Sequence, residues 1–211
     1  MQSEMPLSLI ILFITTQEKF LFRKLIGTAL TWFLFDILFY GNTLFKRVVF
    51  TSAFGDLKYT AQSVCRDSIF ISVIALPGYF VSVRNVGNNK VKTTPRYIQM
   101  QGFFIMSILF FIIGAAFQKL VQIPSLLLLL YGSTFFFANY GPNSTTFMLP
   151  SMTFSVNCRS TLNGICAASG KVGALIGACL FKPASEVFGD DIVMLYCSGI
   201  SIVSTTYGGI F

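Results

Sequence analysis

Three side chains in the first long apolar stretch have the types and spacing for chemistry. Trp32, Asp36 and Tyr40 fall at i, i+4 and i+8 in the run TWFLFDILFY. On an α-helix this spacing drifts by only about 40° per step, so all three line one face over about 12 Å. An indole donor, a titratable carboxylate and a phenol on one stripe suit the binding of a polar or anionic solute. The plainer alternative is a helix–helix hydrogen bond flanked by an aromatic interface belt. The acid at mid-span favours function, because a charge at membrane depth costs several kcal/mol and is kept for a purpose.

One base lies at comparable depth. Lys171 sits in AASGKVGA, with small residues at Gly170, Gly173, Ala174 and Gly177. Small residues at this spacing let a second helix approach closely. A lysine there needs a counter-charge or a water-filled cavity, and Asp36 is the matching acid. An Asp36–Lys171 ion pair is expected, either as a switch or as a static structural pair. A third polar cluster is FFFANYGPNSTT, which ends at Thr146. Gly141-Pro142 removes a helix donor and loosens the backbone beside Asn139, Asn143 and three hydroxyls. Broken helices beside polar groups mark solute sites in transporters, and a plain kinked helix is the alternative.

The elements that must position these residues are membrane helices. The chain has 211 residues, 54% hydrophobic and only 11% charged, against about 25% charged in an ordinary soluble domain. The expected fold is all-α and integral to the membrane, with spans of about 20 residues each. Six are expected, at 25–45, 68–83, 98–117, 124–143, 162–181 and 192–211. The second is expected to break at Pro77-Gly78. The apolar run 7–14 is too short to span and reads as an interfacial or packed segment. The chain therefore divides into an N-terminal cytoplasmic or interfacial segment, 1–24, and a six-helix domain, 25–211. Polar loops are expected at 46–67 and, basic and Asn-rich, at 84–96. The distribution of Lys and Arg tilts slightly toward both ends being cytoplasmic.

Composition excludes several function classes. There is no histidine, so a Ser-His intramembrane protease is ruled out. A protease with two membrane aspartates lacks its second. The five cysteines form no CxxC pair and read as small core residues, with no disulfide framework and no metal site. The net charge of +7 sits between apolar runs, where it sets topology and does not point to nucleic acid. No phosphate-binding loop, dinucleotide fingerprint or HExxH motif occurs. No cofactor is expected, and the chain does not read as an enzyme.

These segments together resemble the major facilitator superfamily, and within it the proton-coupled inorganic phosphate transporters of plants and fungi. The likeness is strongest in TWFLFDILFY, IQMQGF, TFFFANYGPNSTTFMLP and RSTLNGICAASGKVGALIG. It implies the C-terminal half, helices seven to twelve, of a twelve-helix carrier in the plasma membrane. It implies that Trp32, Asp36, Tyr40 and Asn143 contact inorganic phosphate, and that Asp36 and Lys171 couple transport to protons. The implied partners are phosphate, protons, the lipid bilayer, and an N-terminal half or an intact homologous carrier. Some positions depart from the family pattern. The stretch 83–96 lacks the acid and Gly-Arg of the cytoplasmic gate latch. Met152, Ser155, Asn157 and Asn163 stand where the family has Glu, Pro, Arg and His. The expectation is thus a truncated half that keeps its substrate stripe. The alternatives are a non-transporting fragment that pairs with or modulates an intact carrier, and a carrier for another organic solute.

Overall fold

The computed structural model describes residues 7–55, 60–86 and 94–209, with side chains from residue 20 onward except at 157. Among them every element is a helix. In chain order these are α1 (Leu7–Phe54), α2 (Ala61–Val86), α3 (Pro95–Ala115), α4 (Phe117–Val121), α5 (Pro124–Tyr140), α6 (Pro142–Thr153), α7 (Val156–Phe188) and α8 (Asp190–Gly208).

The first helix differs from the expected outline. It runs for 48 residues without a break, about 70 Å at 1.5 Å per residue. The run 7–14 and the expected span 25–45 belong to this one rod. The basic flank between them contains no Gly or Pro before Gly27, and Gln, Glu, Lys, Arg and Leu are all good helix formers, so charge there does not stop the helix. The helix ends at Gly55, whose φ of 79° is open to glycine at little cost.

Pro77-Gly78 does not break the second span either. Pro77 lies inside α2. A Cβ on Gly78 would stand 2.3 Å from the Phe136 carbonyl oxygen, so the glycine lets α2 and α5 touch backbone to backbone. The real interruption is at Gly141, between α5 and α6. There Gly141 and Gly102 face one another, and a Cβ on Gly102 would lie 2.6 Å from Pro142 Cδ. The basic stretch 84–96 lies partly outside the described residues, at 87–93. Its last member, Arg96, donates through Nε to the Gly208 carbonyl at 2.9 Å and also to that of Gly209. It thereby caps the C-terminus of α8, where carbonyls lack helical partners.

The interior is aromatic. Phe35, Leu38 and Phe45 of α1 pack with Phe103, Met106 and Phe110 of α3, Tyr131 of α5 and Met194 of α8. Tyr131 donates to the Asn42 carbonyl at 2.7 Å, which satisfies its buried hydroxyl. Only Cys166 and Cys197 are buried, while Cys65 and Cys179 are exposed. The reading of the cysteines as core residues holds for two of the five. Facing outward are Phe80, Val83, Val73 and Leu175, each about two-thirds exposed or more. Faces of this kind call for lipid or a protein partner rather than water. Ala61–Val86, Pro95–Ala115 and Cys158–Phe188 are long and apolar enough to cross a membrane.

The region expected as a polar loop at 46–67 is mostly helix. Asp67 is 1% exposed and pairs with Arg47 at 3.0 Å and Arg66 at 3.0 Å. This ties the end of α1 to the start of α2. Losing the acid removes the charge partner of a half-buried guanidinium, and its partial solvation lowers the cost. Asp67→Ala should therefore cost about 1–3 kcal/mol, seen as a lower melting temperature of the protein in detergent. An unchanged melting temperature would mean that the pair does not hold α1 to α2.

Candidate functional site

The stripe on α1 meets α7 along a seam of glycines. Gly170, Gly173 and Gly177 face α1, and a Cβ added to any of them collides with it. At Gly173 it would sit 2.2 Å from the Phe33 carbonyl oxygen, and at Gly177 2.3 Å from that of Ile37. At Gly170 it would meet Trp32 Cδ1 at 2.5 Å and Asp36 Oδ2 at 2.9 Å. The small-residue stripe expected from sequence thus packs against the helix that carries the polar stripe. Ser169 adds a hydrogen bond across the seam, donating to the Ala29 carbonyl at 2.9 Å.

Trp32 and Asp36 are 4% and 5% exposed. Phe147 packs edge-on against the indole, with ring centroids 4.6 Å apart. Among the described residues neither the Trp32 indole N–H nor the Asp36 carboxylate has a hydrogen-bond partner, and Asp36 is in no ion pair. Neither group is among the fully enclosed, unpartnered side-chain atoms, which are Asn42 Oδ1, the Gln99 amide and Asn163 Oδ1, so both keep access to a solute, water or proton. Tyr40 completes the stripe and is 38% exposed.

Lys171 lies on the adjacent turn of α7. Its Nζ stands 5.7 Å from the centroid of the Tyr40 ring, and it is the cation that acts electrostatically on Asp36. The expected static Asp36–Lys171 ion pair is not formed within 4.0 Å. The reason is its position one residue past Gly170. That residue faces Asp36, so the next side chain projects about 100° around the helix, toward Tyr40 and the exposed surface.

Asn143 opens α6 just after the break. Its amide donates to the Tyr79 hydroxyl at 2.5 Å and to Asn139 Oδ1 at 2.8 Å. Both amide hydrogens are therefore used within the protein, and neither reaches Trp32, Asp36 or Tyr40. Ser144 donates to the Asn139 carbonyl at 3.1 Å, Thr145 to that of Gly141 at 2.9 Å, and Thr146 to that of Pro142 at 2.9 Å. Ser144 thus satisfies a carbonyl at the break, while Thr145 and Thr146 bond back to the preceding turn of α6. Asn139 belongs to the polar cluster read from the sequence, whereas Tyr79, the other partner of Asn143, does not. Tyr79 is 64 residues away along the chain, so no local pattern connects the two.

The fold and this cluster define an all-α membrane protein with a polar site between its helices. No protein-family model matches the chain. It is 44% identical to low affinity inorganic phosphate transporter 4 of Lotus japonicus, over 74% of this chain and 30% of the relative. Inorganic phosphate transporter 1-1 of Arabidopsis thaliana is 38% identical, over 77% of this chain and 32% of its own length. Probable inorganic phosphate transporter 1-6 of the same plant is 34% identical, over 88% of this chain and 38% of its own length. The chain is a homologue of plant inorganic phosphate transporters and corresponds to a partial, C-terminal region of them. It spans about a third of the length of the curated relatives it matches. Those relatives are named as transporters, not enzymes.

Proposed function

We propose that this chain supplies one half of an inorganic phosphate:proton symport pathway of the major facilitator type. The observation that carries the reading is the buried Asp36 carboxylate beside the Trp32 indole, neither of them bonded within the protein. In this reading residues 25–211 form six spans with both ends cytoplasmic in the plasma membrane, and 1–24 form a leading segment. Tyr40 and Lys171 lie on the exposed side of the site, which a companion half would cover.

The proposed cycle uses three phosphate contacts, Asp36, Lys171 and one proton. Asp36 binds the proton. Dihydrogen phosphate is held by donors from Trp32 and Tyr40 and by the Asn143 amide, which leaves Tyr79 to reach it. When Asp36 releases its proton, the carboxylate repels the bound monoanion. Lys171 then swings from the Tyr40 ring to neutralise Asp36 and resets the site. Alternating access in such carriers needs two six-helix halves around a central site, so the companion is an N-terminal half or an intact homologous carrier.

The test is uptake of radiolabelled phosphate in cells that hold this chain together with the N-terminal portion of a matched relative. Phosphate uptake above that of either piece alone is expected. No uptake with correctly inserted protein would contradict the reading.

A further inference from the structure

A second polar cavity lies between α1, α2 and α5, away from Trp32 and Asp36. It encloses about 190 Å³, where a single water needs about 10–15 Å³ of such space. Its polar lining is Thr43, Lys46, Ser68, Ser72, Tyr79 and Asn139. No carboxylate lines it. The nearest acid in sequence, Asp67, is already held by Arg47 and Arg66.

Thr43, Ser68 and Asn139 donate to the carbonyls of Phe39, Val64 and Ala75, so the donors left to the cavity are those of Lys46, Ser72 and Tyr79. Lys46 Nζ donates to Ser68 Oγ at 2.7 Å, and among the described residues it has no carboxylate partner. An ammonium carries three hydrogens, so two remain to be satisfied. The Tyr79 hydroxyl accepts from Asn143 and keeps its own proton to give. Ser72 has no bonded partner among the described residues. A half-buried cation with hydroxyls around it and no counter-charge favours a compact anion that accepts on several sides.

We propose that this cavity binds a small tetrahedral oxyanion at Lys46, as a subsite separate from the Asp36 stripe. Six residues, or about 9 Å along α1, separate Lys46 from Tyr40. Tyr79 and Asn139 form a shared wall, since both are bonded to Asn143. An anion held at Lys46 is thus one step from the stripe. The site stands on its own lining, and only the choice of inorganic phosphate as its probe rests on the proposed function.

The experiment is equilibrium dialysis of radiolabelled inorganic phosphate against the purified full chain in lipid nanodiscs, with sulfate as competitor. Emission from Trp32, the chain's one tryptophan, is followed in parallel to monitor the stripe. Two phosphates per chain are expected. Lys46→Gln should weaken one of them by about tenfold or more and leave the Trp32 response intact, while Lys46→Arg should keep both. Sulfate should displace the phosphate at Lys46. Two sites unchanged in Lys46→Gln would overturn the subsite. So would its loss in both Lys46→Gln and Lys46→Arg, because lysine would then be acting through packing alone. One site that Lys46→Gln removes, with Trp32 silent, would support the subsite and count against the stripe. One site that moves Trp32 and ignores Lys46 would do the reverse, and no binding at all would overturn both.

Discussion

Asp36→Asn is expected to abolish proton movement driven by phosphate in membranes that hold this chain with a companion half, and to lower phosphate uptake by about 5–150-fold. That range corresponds to a coupling free energy of about 1–3 kcal/mol between two ligands. The amide has nearly the shape of the carboxylic acid but cannot gain or lose a proton in this range. It also fits the space that Gly170 leaves beside Asp36 Oδ2, so the helices stay packed and the protein still inserts. Expected from this variant is phosphate exchange down its own gradient, with no accompanying change in internal pH. Wild-type proton influx in Asp36→Asn would remove Asp36 from the coupling step.

Gly173→Ala is the second large effect, and it acts through packing. The added Cβ would lie 2.2 Å from the Phe33 carbonyl oxygen and 3.0 Å from the carbonyl carbon. Backbone cannot rotate aside as a side chain can, so α7 must move away from α1. Overpacking of this kind costs about 1–3 kcal/mol. It also opens the wall that Gly170 forms against Trp32 and Asp36, so stability and phosphate response should fall together. Gly164 on the same helix is the control, because a Cβ there meets nothing within 4 Å. Gly164→Ala should leave the melting temperature unchanged or raise it, since alanine is favoured over glycine in a helix by up to about 1 kcal/mol. Equal melting temperatures for the two variants would show that the seam is not close-packed.

The α1 stripe was legible because helical periodicity is local, and Trp32, Asp36 and Tyr40 depend on nothing but their spacing. The glycines of α7 were legible as a close-approach face, but not as the face that meets α1. Which helix packs against a small-residue stripe is decided by the tertiary fold. Helix ends were read less well. Charges at Lys19, Arg23 and Lys24 suggested a boundary where good helix formers carry the rod through. Lys46, Arg47 and Asp67 suggested a loop where two helices are pinned by a buried ion pair across 20 residues. Asn143 was picked out correctly as a polar residue at a break. Its bond to Asn139 follows the i, i+4 spacing, whereas its bond to Tyr79, 64 residues away, has no signature in the chain.

Phosphate at the α1 stripe is read out by Trp32 itself. As the one tryptophan of the chain, packed against Phe147 and Gly170 beside Asp36, it reports the stripe without a label. Purified chain in lipid nanodiscs is titrated with inorganic phosphate at constant ionic strength while indole emission is followed. A saturable, phosphate-specific change is expected that chloride does not produce and that Tyr40→Ala weakens. Emission that is flat with phosphate, or that moves equally with chloride, would contradict a phosphate site at Trp32 and Asp36.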